Sequence, residues 1–269
     1  MAPTFPPAEL KEYLAFAHCL ADAARPEIMR HFRVHSVVED KADREDGGYS
    51  PVTAADRGAE AAMRALIRAR YPEHGIMGEE HGHEGTRARL TWVIDPLDGT
   101  RAFISGLPLF GTLIALNVDG KPVLGIMDQP VLKERFVGCA GASYLGEQRL
   151  KTRPCTRLDQ ATLFCTEPDM FGQARERAAF DAVAGRVRLR RFGGDCYAYC
   201  MLALGFVDLV VEGSLKPWDI QALIPIIEGA GGVVTGWDGG PAEAGGLVVA
   251  AGDPRLHAKV LPLLAEAVG

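Results

Sequence analysis

The chain has 269 residues, 48% hydrophobic and 24% charged, with a formal net charge of −6 and a pI near 5.7. That composition is globular, long enough for one large or two moderate units, and its scattered Lys and Arg residues exclude a polyanion-binding surface, so nucleic acid is not an expected partner. No apolar run is long enough to span a bilayer, and six cysteines without a C-x-x-C pair indicate neither a zinc site nor a disulfide framework, so a reduced cytoplasmic protein is expected.

The first residues, Met1 to Pro7, run into Glu9, Lys11 and Glu12, which interrupt the apolar core a secretory signal needs. Residues 8 to about 32 carry Leu10, Tyr13, Leu14, Ala17, Leu20 and Ala21 at helical spacing, with Pro26 expected to kink the helix or start a new turn. Val34 to Val38 reads as a short strand, and Glu39 to Gly48, with Lys41 and Asp43, as a mobile loop. Residues 50–56 open a second helix whose apolar face is expected to use Ala59, Ala62, Met63, Leu66 and Ile67. Asp56 falls in its first turn, where an acid favours the helix dipole with no further role.

Gly75 to Gly78 is a short apolar piece ending in Glu79-Glu80, which in isolation reads as a solvated acidic loop. His81 and His83 lack further ligands for zinc and read as polar loop. Leu90 to Asp95 reads as a buried strand stopped by Pro96, which has no N–H for the ladder. Asp98, Gly99 and Thr100 then crowd a second carboxylate, a flexible backbone and a hydroxyl into a tight turn. Two such carboxylates repel unless a cation or proton lies between them, and hard divalent cations prefer oxygen ligands; an ordinary Asp-Gly turn is the competing reading. Runs at 109–117, 122–128 and 135–138 form an antiparallel meander, with Asp119-Gly120 as a hairpin turn.

Residues 150–158 read as a linker between an α+β part, 1–150, and an α/β part, 151–269. Strands at 163–166, 187–192 and 207–211 alternate with helices at 171–183, 196–205 and 217–229; two further strands and a helix from Pro254 to Ala267 close the chain. Asp195, after Gly193-Gly194, and Asp219, after Lys216-Pro217-Trp218, each read singly as helix caps.

Taken together, Asp56, Glu79 with Glu80, Asp95 with Asp98, and Asp219 all fall where a strand ends or a helix begins, the positions where α/β folds collect sites. An oxygen-rich set without histidine suits Mg2+ better than Zn2+. A haloacid-dehalogenase-like phosphatase needs D-x-D-G-T, whereas two residues separate Asp95 from Asp98 here.

Gly78-Glu79-Glu80, Ile94-Asp95-Pro96-Leu97-Asp98-Gly99-Thr100 and Trp218-Asp219 resemble, in order, the three motifs of the inositol-monophosphatase-like, lithium-sensitive Mg2+-dependent phosphatases. Softer motifs at 100–106, 193–199 and 215–223 look like the histidinol-phosphatase branch. The resemblance implies a layered αβαβα sandwich, a homodimer and hydrolysis of a small-molecule phosphate ester, histidinol phosphate first, inositol phosphate or other esters as alternatives. By the same resemblance, Glu79, Asp95 and the Leu97 carbonyl hold one Mg2+, Asp95, Asp98 and Asp219 a second, with two or three ions per site and Mn2+ able to substitute. Thr100 with Asp56 then activates a metal-bound water, and the Gly99 and Thr100 N–H groups receive the phosphate. Asp195 and Glu212 are expected to face the leaving alcohol, beside Asp219, and one of them to pair with the amine of histidinol phosphate. An inactive metal- or phosphate-binding regulator is the reading from outside enzymology.

Overall fold

The computed structural model describes residues 5–34, 39–40, 51–85 and 87–266. Residues 35–38 of the expected strand and most of the expected loop, including Lys41 and Asp43, lie outside them; Val34 is described and is not in a strand. The described ends of that loop, β1 (Glu39–Asp40) and β2 (Pro51–Val52), pair with each other as a two-stranded ribbon.

Helices α1 (Pro7–Met29) and α2 (Ala54–Arg70) cover one face of an eight-stranded sheet. Its strands are β3 (Gly75–Gly78), β4 (Gly82–Glu84), β5 (Leu90–Asp98), β6 (Gly111–Val118), β7 (Lys121–Gln129), β8 (Glu134–Cys139), β9 (Ala142–Leu145) and β10 (Gln148–Arg149), in the order β10-β9-β8-β7-β6-β5-β3-β4. Only β3 and β5 run parallel in it; the expected meander is β6 to β8, and Asp119 and Gly120 turn its first hairpin with φ of +50° and +82°. A short α3 (Thr100–Ile104) follows β5.

The second half supplies a five-stranded sheet from β11 (Thr162–Cys165), β12 (Leu189–Phe192), β13 (Leu209–Leu215), β14 (Val233–Gly236) and β15 (Gly246–Ala251), ordered β12-β11-β13-β15-β14. Its helices are α4 (Ala174–Ala184), α5 (Asp195–Ala203), α6 (Pro217–Ile220), α7 (Leu223–Gly229) and α8 (Pro254–Ala265). The helix expected over 217–229 is thus two helices, and β15 runs antiparallel to both neighbours, so this sheet is mixed.

Period-two burial in the strands sets the layers. Trp92, Ile94, Ile114, Leu116 and Ile126 point toward α1 and α2, while Val93, Leu113, Ala115 and Met127 point the other way, onto α5 and α7. Val210, Val248 and Ala250 of the second sheet close on the same middle helices, and Leu209, Val211 and Val249 face α4 and α8. The order of layers is therefore αβαβα, and the middle layer is a core shared by both halves. Among the described residues no helix is long and apolar enough to cross a membrane.

One buried charge ties the outer helix to the sheet. Asp128 on β7 is 1% exposed and accepts from Arg25 Nη2 at 2.7 Å and from Arg135 Nε at 2.7 Å. Asp128→Asn should lower stability by about 2 kcal/mol, below the roughly 3–5 of a fully buried pair because Arg25 is one-third exposed. A lower midpoint of urea unfolding at unchanged slope is the expected readout.

Candidate active site

The first acid-bearing element is β5, and its irregularity makes the site. Asp95 pairs with Leu113 and Asp98 with Gly111, so three steps on β5 match two on β6. In a regular strand residues three apart face opposite sides of the sheet; the extra residue of this bulge brings Asp95 and Asp98 to the same side. Pro96, which cannot donate to a ladder, sits in the bulge, and its carbonyl accepts from Thr112 Oγ1 at 2.9 Å. This corrects the expectation that Pro96 ends the strand: β5 continues to Asp98, and the tight turn begins only at Gly99.

Gly99 has φ +84°, and a Cβ there would meet the Leu109 carbonyl and Phe110 Cα at 3.1 Å and Asp195 Cβ at 3.3 Å. Glycine is what permits this reversal into α3. Thr100 then places Oγ1 3.0 Å from the Leu97 carbonyl and 3.3 Å from Asp56 Oδ1, with one hydroxyl proton to give. The other Asp56 oxygen, Oδ2, accepts from Thr53 N at 2.8 Å and Thr53 Oγ1 at 2.6 Å. Asp56 is therefore both the expected N-terminal acid of α2 and a partner for Thr100, one oxygen for each.

Register brings Glu79 to the same place. Gly78 pairs in parallel with Ile94, so the next residues, Glu79 just past β3 and Asp95 within β5, come side by side. Asp219 arrives from the second half in the first turn of α6, with Oδ2 accepting from Lys216 N at 2.7 Å. Carboxylate oxygens of Asp95, Asp98 and Asp219 lie within 4.8 Å of one another.

These acids are short of compensating charge. Burial, then the charges of Glu79, Asp98 and Asp219, hold the Asp95 carboxyl well above its ordinary range. Burial likewise pushes Asp98 up to about 6, against the bond its Oδ2 accepts from Cys196 N at 2.7 Å, and raises Asp219, helped by Asp98 and Glu79. Asp56 is raised by burial and restrained by its bonds to Thr53. Backbone N–H groups of Leu97, Cys196 and Lys216 donate to the three clustered acids; a hard divalent cation is the chemistry this all-oxygen donor set fits.

A second group of acids, Asp195 and Glu212, lies next to Gly99 and Asp98. Asp195 is the first residue of α5, but Gly194 occupies the cap position and Asp195 makes no side-chain cap bond. Its backbone is left-handed at φ +43°, costly for a residue with a Cβ, so the expected cap role is replaced by a strained one. Burial, then Asp98 and Glu212, raise its carboxyl. Glu212 on β13 is buried and raised to about 7 by that burial, with bonds from Thr166 N (2.9 Å), Thr166 Oγ1 (2.6 Å) and Tyr199 OH (2.8 Å). Cys196 and Cys200 are small buried hydrophobes of α5, as expected.

The inositol monophosphatase family pattern matches residues 9–268, nearly the whole described chain. The chain belongs to the inositol monophosphatase family. It is similar to the bifunctional phosphatase IMPL2 of Arabidopsis thaliana, chloroplastic, at 45% identity over 95% of this chain and 76% of that protein. It is also similar to a histidinol-phosphatase of Streptomyces coelicolor, at 35% identity over 93% of this chain and 96% of that one. The solved structure of an inositol monophosphatase from Zymomonas mobilis superposes with a TM-score of 0.84 at 45% identity, covering 94% of this chain and 98% of that one. The chain is thus an inositol monophosphatase family phosphatase, a phosphoric monoester hydrolase of a generally metal-dependent family.

Several partners at this family site had no signal in the sequence reading. Thr166 and Tyr199 fix Glu212, and Arg101, one residue after Thr100, pairs with Glu167 of the second half. Glu60 and Arg64, buried on α2 beneath Glu79, are the largest omission, since Leu66 of the expected apolar face is instead 37% exposed. Spacing offered one clue: Glu60 and Arg64 follow Asp56 at successive four-residue steps, on one helix face.

Proposed function

We propose that the chain is a Mg2+-dependent histidinol-phosphate phosphatase, releasing histidinol and phosphate. The observation that carries the specificity is Asp195: a buried acid in a strained backbone, against Gly99 and in the fields of Asp98 and Glu212. Histidinol phosphate brings a protonated amine next to its phosphate, and a carboxylate there forms a charge-assisted hydrogen bond that inositol phosphate does not offer. The S. coelicolor histidinol-phosphatase supports the same substrate. A broader small-molecule phosphatase is the alternative, favoured by the name of the bifunctional IMPL2 relative.

Glu79, Asp95 and the Leu97 carbonyl would hold one Mg2+, and Asp95, Asp98 and Asp219 another, with Asp95 common to both and Mn2+ able to substitute. Bound there, the ions supply positive charge to the phosphate oxygens and lower the pKa of water. The chain's own residues do the rest. The Gly99 and Thr100 N–H groups receive the phosphate, the Thr100 hydroxyl accepts the proton of the attacking water, and Asp56 takes the hydroxyl proton in turn. Asp195 and Glu212 orient the leaving alcohol. We further propose a homodimer, following the family resemblance, a two-part division at 1–150 and 151–269, and a cytoplasmic setting, in keeping with six free cysteines.

Steady-state turnover of histidinol phosphate and inositol 1-phosphate by the purified protein tests the substrate. Comparable kcat/KM for both would defeat the specificity. Asp195→Asn should raise KM for histidinol phosphate roughly ten- to hundredfold, in line with about 1.5–3 kcal/mol for a hydrogen bond to a charged group, while sparing inositol phosphate.

A further inference from the structure

The hairpin that presents Glu79 is held from below by α2. Strands β3 and β4 pair Gly78 with Gly82, leaving residues 79–81 as the loop. Two of those three residues donate their backbone N–H to one carboxylate: Glu60 Oε2 accepts from Glu80 N at 2.7 Å and Oε1 from His81 N at 3.1 Å. Arg64 Nε donates to the same Oε1 at 2.7 Å, its Nη1 reaches Glu84 Oε1 at 2.8 Å, and its Nη2 donates to the Gly82 carbonyl. Glu60 and Arg64 are 0% and 1% exposed. A buried carboxylate with an arginine and two N–H donors has its charge answered chiefly by Arg64 and the loop's backbone, with the His81 ring 3.5 Å from the same Oε1.

The glycine of the Gly78-Glu79-Glu80 motif has its reason here. A Cβ on Gly78 would lie 2.2 Å from Glu60 Oε1 and 2.9 Å from Arg64 Nη2. The motif is thus shaped to admit a carboxylate from another element, one helical turn beyond Asp56.

We propose that Glu60 is a positioning residue: it fixes the Glu79 hairpin relative to Asp56 and thereby sets the affinity of the site for divalent cation, although it touches none. The inference rests on Glu79 being a cation ligand, as proposed above. Groups that orient a ligand typically contribute ten- to a hundredfold in metal affinity. Helix α2 is then a single ruler, placing the proton acceptor for Thr100 with Asp56 and the ligand hairpin with Glu60.

Calorimetric titration of Mg2+ into the chelator-treated full chain, well below its melting temperature, tests this. Glu60→Gln should weaken Mg2+ about tenfold or more, because the amide turns a donor toward N–H groups that need an acceptor, while kcat at saturating Mg2+ stays within several-fold of wild type. Gly78→Ala, which pushes on the same carboxylate from the opposite side, should weaken Mg2+ similarly, and the double variant should lose less than the product of the two. Glu84→Gln, which removes the other carboxylate of Arg64, should leave Mg2+ affinity unchanged. If Glu79→Gln binds Mg2+ like wild type, the ligand reading fails and the inference with it. If Glu79→Gln weakens binding while folded Glu60→Gln and Gly78→Ala do not, the positioning role alone is overturned, even where both melt lower. Should Glu60→Gln not fold, Gly78→Ala decides between the same two outcomes.

Discussion

Thr100→Ala is expected to lower kcat by about 10²–10⁴-fold, the span of a positioned proton-transfer group, with the Mg2+ requirement within a few-fold of wild type. The hydroxyl is the group of Thr100 that reaches Asp56, and its two acceptors, the Leu97 carbonyl and Asp56 Oδ1, compete for one proton. Removing it severs the path to Asp56 and leaves the clustered carboxylates in place. Asp56→Asn should lose turnover to a similar degree, because an amide can still accept from Thr100 but cannot take its proton. Acting as one relay, the two should not add: the double variant should be about as slow as the slower single one. Thr100→Ser should retain most activity. Multiplicative losses, or wild-type turnover in Thr100→Ala, would remove the relay from the mechanism.

The elements that hold these groups were largely legible in the sequence, because each rests on a local rule. Alternation in 109–128 predicted the meander, and a strand emptying into acids at 75–80 and 90–98 placed Glu79, Asp95 and Asp98. The layered order followed from the resemblance rather than from periodicity. What local rules could not give was the bulge. A proline after Asp95 reads as a strand end, and only the pairing with Leu113 and Gly111 shows a strand continuing through it. Without that bulge the spacing of two residues between the acids has no structural meaning; with it, the spacing is what puts both on one face.

Buried charge was the other blind spot. Charged residues on a helix are read as solvent-facing because their burial is costly unless paired, and the pairing is non-local. Glu60 is buried because Glu80, His81 and Arg64 satisfy it, and Glu212 because Thr166 and Tyr199 do. Asp195 misled differently. A Gly-Gly-Asp run ahead of a helix has the composition of a cap, yet the cap is Gly194 and Asp195 is turned, at the expense of backbone strain, toward Gly99.

Removing divalent cation should invert the stability order of wild type and Asp219→Asn. Without cation, Asp95, Asp98 and Asp219 keep oxygens within 4.8 Å of one another, and two unit charges at that separation repel by about 3 kcal/mol at an effective dielectric constant of about 20. Neutralising one acid removes only part of this, about 2 kcal/mol net, because the raised carboxyls take up protons rather than bear the full repulsion, while asparagine can still accept the Lys216 N–H bond at the start of α6. In chelator the variant should therefore melt above wild type by several degrees, about 2–4 °C for each kcal/mol in a chain of this size. The sign with pH follows from the raised carboxyls. A group whose folded pKa lies above its unfolded value contributes stability that is complete below the unfolded pKa of about 3.9 and lost as pH rises through the folded one, about 6 for Asp98. The gap between the metal-free proteins should thus widen from pH 5 to pH 8. Saturating Mg2+ reverses the order: wild type gains about 2.7 kcal/mol at a hundredfold excess over Kd, and a variant lacking one ligand gains much less. Melting curves of both proteins with chelator and with Mg2+, at three pH values, give six comparisons whose sign must differ between the two conditions. If wild type melts higher in both conditions, the three carboxylates do not share an ion; if the chelator gap shrinks as pH rises, their mutual repulsion is not what destabilises the metal-free site.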